Sequence, residues 1–181
     1  MEALGAGLGT AGFIVFGRDA DPVAIAHGVA RFLAVESCGQ CQPCKADGLA
    51  LATTLDLIRR SEIGNHVPAV QLALSTVADG ARCSLASQQQ LVVGSLLGAF
   101  PEAFERHSRG EVPAAEPVLV APILDLPGDS FLLDEAHAGK QPDWSFDDVD
   151  SGAYPAQRFD QGSGEVPDAG PDPSEPSDSS G

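Results

Sequence analysis

The chain has 181 residues, 43 % hydrophobic but only 6 % aromatic, so any core is built mainly from small aliphatic side chains, which suits closely packed helices. Its formal charge of −16 is uneven: sixteen carboxylates face two cations from Glu111 to Gly181, against ten and eight before Glu111. This balance excludes a nucleic-acid partner, because no cationic surface is available to displace counterions from phosphates, and no run approaches the roughly 20 apolar residues that span a bilayer.

In chain order, the first 20 residues read as a glycine-rich linker, Gly7-Leu-Gly-Thr-Ala-Gly12, followed by a short buried strand, Phe13-Ile-Val-Phe16. No basic region precedes the apolar residues of the N-terminus, so it does not read as a secretory signal and a cytoplasmic protein is expected. Asp21-Pro22 predicts a helix start, an N-cap aspartate with proline at the first helical position. Val23, Ala26, Ala30, Leu33 and Ala34 then recur at helical spacing to about Glu36. A second helix is expected from near Cys44 through Leu49, Ala52, Leu55 and Ile58 to the basic pair Arg59-Arg60. A third runs from about Val67 to Val77, and a fourth from about Ser87 towards His107, kinked or split at Pro101. Residues 21–110 therefore predict a mostly α fold, a four-helix bundle. Residues 111–150 offer two extended segments, Val118 to Ile123 and Phe131 to Leu133, that can pack on the bundle. Residues 151–181 are dominated by Pro, Gly, Ser and Asp and read as a disordered acidic tail.

The densest chemistry lies between the first two helices, in Glu36-Ser-Cys38-Gly-Gln-Cys41-Gln-Pro-Cys44, with Cys83 following at a distance. In a reducing compartment such cysteines are metal ligands sooner than disulfides. Two-residue spacers let three thiolates of one tight turn reach three corners of a [4Fe–4S] cubane, and a remote cysteine closes the fourth. A zinc ion is the weaker alternative, since structural zinc usually draws two ligands from each of two knuckles. Unmetallated thiols or a redox switch fit less well still. The alternative function is a non-catalytic interaction module stabilised by a metal on the four cysteines.

The run from Gly7 through Glu36-Ser-Cys-Gly-Gln-Cys-Gln-Pro-Cys44 to Cys83 resembles the C-terminal iron–sulfur domain of the NADH-binding flavoprotein subunit of respiratory complex I (NADH:quinone oxidoreductase). Related NAD-linked hydrogenase and formate dehydrogenase subunits share that domain, and the resemblance covers about Gly5 to His107. It implies a bundle holding a [4Fe–4S] cluster on Cys38, Cys41, Cys44 and Cys83. The cluster relays single electrons from FMN, reduced by NADH, to a further iron–sulfur centre. Lys45 stands where the family often has arginine; its charge either favours the reduced cluster or is simply solvated. One departure concerns Cys83, where the chain has Cys83-Ser-Leu-Ala in place of the family's Cys-Gly-Leu-Gly. The flavin and NADH sites of the family lie in a preceding domain with its own glycine-rich loop. FMN and NADH are therefore expected only on a partner or on a missing N-terminal part, Met1 reads as a truncation, and the chain alone is catalytically incomplete. Gly7 to Gly12 has the order G-x-G-x-x-G but precedes its strand, so it is not read as a dinucleotide fingerprint. The implied partners are a flavoprotein or NADH-binding domain and another iron–sulfur protein, with the module peripheral to the inner face of the membrane and without a span of its own.

Other polar residues read as ordinary surface. His27, His66, His107 and His137 share no metal-binding spacing, with His27 on the polar side of its helix and His66 at a helix start. Asp134-Glu135 and Asp147-Asp148 read as solvated charge. No Ser–His–Asp arrangement stands out, and Lys140 to Phe146, with the only tryptophan, either docks on a partner or folds back on the bundle.

Overall fold

The structure, a computed structural model, describes residues 15–142. In order it contains α1 (Pro22–Glu36), α2 (Gln42–Arg59), α3 (His66–Thr76), α4 (Ser84–Ala99), α5 (Pro101–Ser108), β1 (Ile123–Asp125), β2 (Leu132–Leu133) and a 3-10 helix, Glu135–Gly139. Asp21 starts α1 because its carboxylate accepts hydrogen bonds from Val23 N (2.8 Å) and Ala24 N (3.0 Å), amides that lack intrahelical partners. The expected fourth helix is two, broken at Phe100-Pro101, where proline opens α5. A proline ring cannot continue an α-helical hydrogen-bond ladder, which is why the sequence already marked the split. No helix among the described residues is long and apolar enough to cross a membrane.

The core lies where α1 meets α2, the most extensive helix pair. Val23, Ala26, Ala30 and Ala34 of α1 and Leu51, Leu55 and Ile58 of α2 are fully buried. Three alanines on one face let the two helices approach closely while leucines fill the rest. From α4, the fully buried Gln89 reaches between them and donates weakly to Ala30 O and Gly48 O, both at 3.4 Å. Phe104 of α5 closes the far end.

Residues 111–142 run back over the bundle as a strap. Arg59 holds its start: Ala115 N donates to Arg59 O at 2.9 Å, and the Arg59 guanidinium donates to Ala115 O. The strap then crosses α1 at Gly28, where a β-carbon would lie 2.4 Å from the Val118 carbonyl oxygen. A mid-helix glycine costs about 1 kcal/mol relative to alanine, and here that cost allows the crossing. Val118 to Val120 thus pack on α1, but the short antiparallel β1–β2 pair carries Ile123, Leu124 and Leu132 outward.

Four surface expectations are corrected by this strap and by α5. His27 is buried rather than on a polar face, because the strap covers that side of α1. His137 and His107 are buried as well, each hydrogen-bonded to a carboxylate from a distant part of the chain, Glu36 and Asp21 respectively. Asp134 is not merely solvated: its carboxylate accepts from Ala136 N at 3.1 Å and caps the 3-10 helix. His66 sits at the start of α3, as expected. Of the expected strand at Phe13 to Phe16, the described part, Val15-Phe16, is coil with Val15 exposed. Gly7 to Gly12, Asp147-Asp148, Trp144 and the tail from Ser151 lie outside the described residues.

Candidate metal centre

The loop between α1 and α2 carries the cysteine triplet. Helix α1 ends at Glu36, and Ser37 turns the chain into extended backbone. Gly39 then takes φ +80°, a left-handed conformation that costs a residue with a β-carbon roughly 1–2 kcal/mol. Cys41 occupies the N-cap of α2, Pro43 enters its first turn, and Cys44 follows within that turn. Cys83 occupies the N-cap of α4. Neither N-terminus is capped by its own N-cap side chain. The positive dipole ends of two helices are thus placed beside cysteines, a setting that stabilises anions.

The four thiols share one neighbourhood. Cys44 is buried and hydrogen-bonded to the Ser37 hydroxyl at 3.3 Å, while Cys38 and Cys41 are half-buried and Cys83 is exposed. Burial pushes the Cys44 thiol above its ordinary value; the Ser37 hydrogen bond opposes this, and the fields of Cys41, Cys83 and Cys38 push it further up. A cation brought among these sulfurs would offset the burial that disfavours the Cys44 thiolate. Among the described residues no three His, Cys, Asp or Glu side chains converge as ligands of one ion. A cubane does not require that convergence, since each cysteine binds its own iron. Helix-end amides, a soft all-sulfur donor set and one solvent-facing edge fit such a cluster. Arg82, next to Cys83, donates to Gln40 Oε1 at 3.2 Å and ties the fourth cysteine's loop to the triplet.

Lys45 overturns the reading of a solvated side chain. It is fully buried, and its ammonium donates to Ala34 O (3.0 Å), Val35 O (3.4 Å) and Ser37 O (2.8 Å). The cation sits on the last carbonyls of α1, at the negative end of that helix, directly after the buried Cys44. On the outer side of the same turn, Glu36 is hydrogen-bonded to His137 Nε2 at 2.8 Å and to Lys140 Nζ at 3.0 Å. Burial alone would raise the Glu36 carboxyl, but the hydrogen bonds from Lys140 and His137 outweigh it and hold the group below its ordinary value. The sequence carried one signal for the inner contact, a cation immediately after the third cysteine. It carried none for the outer one.

A Ser–His–Asp chain, invisible in sequence, does exist: His107 Nδ1 is hydrogen-bonded to Ser61 Oγ at 2.8 Å and His107 Nε2 to Asp21 Oδ2 at 3.0 Å. It is a staple rather than a nucleophile. Ser61 closes the end of α2 in a left-handed conformation (φ +57°), with its own amide and that of Glu62 bonded back to Ile58 O and Leu57 O. The nearby cleft of about 240 Å³ is lined by Asp21 and His107 but not by Ser61. A cleft of about 720 Å³ between α1, α4 and Phe16 to Ala20 has no cysteine in its wall.

Comparison with known proteins agrees with the resemblance. The family model of the NADH-ubiquinone oxidoreductase-F iron–sulfur binding region matches residues 24–107, from the first turn of α1 into α5 and across all four cysteines. No curated protein and no solved structure matches the chain.

Proposed function

We propose, from an iron–sulfur binding region of the NADH-ubiquinone oxidoreductase-F type over residues 24–107, that this chain is a one-electron relay. Cys38, Cys41, Cys44 and Cys83 would hold a [4Fe–4S] cluster. Electrons come singly from a reduced flavin on an NADH-binding partner or on a preceding segment, and leave for a further iron–sulfur protein. When bound, the cluster supplies reversible Fe(III)/Fe(II) chemistry. The chain's own residues set its surroundings. Helix-end amides and Lys45 favour added negative charge, Cys44 and Ser37 exclude water from the inner side, and exposed Cys83 leaves an edge for close approach. No proton-transfer residue is needed, and FMN and NADH belong to that partner or preceding segment. The chain alone is then catalytically incomplete. We place it in the cytoplasm, where thiols stay reduced, peripheral to the inner face of the membrane through a complex.

The observation that carries this reading is the placement of Cys41 and Cys83 at the N-caps of α2 and α4, with Cys38 and Cys44 in the adjoining loop and first turn, inside the matched region. Anaerobic purification tests it. Brown protein with about four irons per chain and an EPR signal on dithionite reduction is expected. Colourless protein with stoichiometric zinc overturns it in favour of a metal-stabilised interaction module.

A further inference from the structure

The end of the strap meets the cysteine loop from outside the region that the family model matches. Lys140 is the only lysine or arginine between Arg109 and Arg158, and it is bonded to Glu36 at 3.0 Å. His137, buried in the adjoining 3-10 helix, bonds the same carboxylate oxygen at 2.8 Å and lies against Phe32, with ring centroids 5.0 Å apart. Arg31 anchors the backbone on which both sit, donating to the carbonyls of His137 (3.1 Å), Ala138 (2.7 Å) and Lys140 (3.1 Å).

Glu36 needs such partners. A carboxylate in the last turn of a helix faces the negative end of its dipole, and this one also stands two positions before Cys38. Uncompensated, it would oppose every further negative charge placed on the loop.

We propose that His137 and Lys140 form a latch that positions the Cys38 loop and offsets the charge of Glu36, making the strap a working part of the electron-transfer site. Lys45 holds the Glu36-Ser37 turn from within, and the latch holds it from without. His137 and Lys140 are positioning residues acting through Glu36. Their effect on potential rests on the electron-relay reading; their grip on the loop does not.

The test uses the full chain, purified anaerobically, as wild type, Glu36→Gln, Lys140→Met and Lys140→Arg. Removing a cation near the loop disfavours the reduced state and removing an anion favours it. Lys140→Met is therefore expected to lower the midpoint potential and Glu36→Gln to raise it. Both are expected to speed iron release to a ferrous chelator roughly tenfold, the scale on which outer partners of metal ligands act, and Lys140→Arg restores wild-type values. A merely structural role would move both potentials together. Potentials that shift in the same direction, or not at all, overturn the charge-balancing part. Hydrogen exchange of the metal-free proteins decides the mechanical part independently of any cluster. Faster exchange across Ser37 to Cys41 in Glu36→Gln and Lys140→Met supports it, and unchanged exchange overturns it. Should the wild type carry no iron, the electron-relay reading fails while the exchange result still judges the latch.

Discussion

The triplet loop and the Cys83 loop offer the same chemistry from unlike supports. Cys44 is buried, hydrogen-bonded through Ser37, followed by a fully buried lysine and preceded by a turn held on its outer side. Cys83 is exposed at the head of α4, joined to the triplet through the Arg82–Gln40 contact. Metal binding at the first loop, as proposed above, would therefore be coupled to folding of the core. At the second, fold and proposed ligand would be nearly separable, since Cys83 is exposed. Where the iron–sulfur domains that this chain resembles tend to carry glycines after the last cysteine, it has Ser84 and Ala86. The change falls in the first turn of a regular helix, with Ala86 fully buried. A helix interior tolerates alanine better than glycine, so the substitution is compatible with the N-cap placement of Cys83.

The strongest way to break this contrast is Cys41→Ala. Its iron content is expected to fall close to zero by colorimetric assay, with a lower melting temperature for the protein as isolated, because metal binding contributes folding free energy. Iron retained at the wild-type stoichiometry would remove Cys41 from the ligand set. Next comes Lys45→Met. It strips three main-chain carbonyls of a charged donor, at about 1.5–3 kcal/mol for bonds to charged groups, and denaturant unfolding of the metal-free protein measures it. A loss under 0.5 kcal/mol would show that the inner grip on the loop is slight.

Cys83→Ala separates the two loops. Metal-free stability is expected to stay within about 0.5 kcal/mol of wild type, as for most surface changes, while iron is lost. A large destabilisation without metal would make the two loops equivalent after all. The smallest effect probes the face away from the cysteines. Burial pushes the His27 imidazole below its ordinary 6.5, partly opposed by the Asp56 carboxylate and reinforced by Arg59 and Arg31. The unfolded chain then binds the extra proton first, so this contribution to stability is present above pH 6.5 and lost as pH falls through that value, levelling off below the folded pKa. Unfolding of metal-free His27→Gln between pH 7 and 5 is expected to show a shallower loss than wild type. Parallel curves would assign the acid sensitivity to other groups.

Much of this molecule is readable without coordinates because the signals are local. Asp21-Pro22 starts α1 through contacts two and three residues away, and Pro101 splits α4 from α5 through its own ring. The spacing of Cys38, Cys41 and Cys44 needs only Gly39 and Pro43 to place three thiols in one turn. Such features depend on dihedral preferences and hydrogen bonds within a few positions, which sequence states directly. The burial of Lys45, His27 and His137 depends on what covers them. Glu36 and His137 are 101 positions apart, and Asp21 and His107 are 86 apart. No periodicity encodes such pairings. They arise when a glycine at position 28 lets the strap cross α1 and three alanines let α1 settle on α2. Sequence alone therefore determined the helices and the four-cysteine set. Only the tertiary structure decided which charges surround that set, because burial and distant pairing are properties of the packed chain.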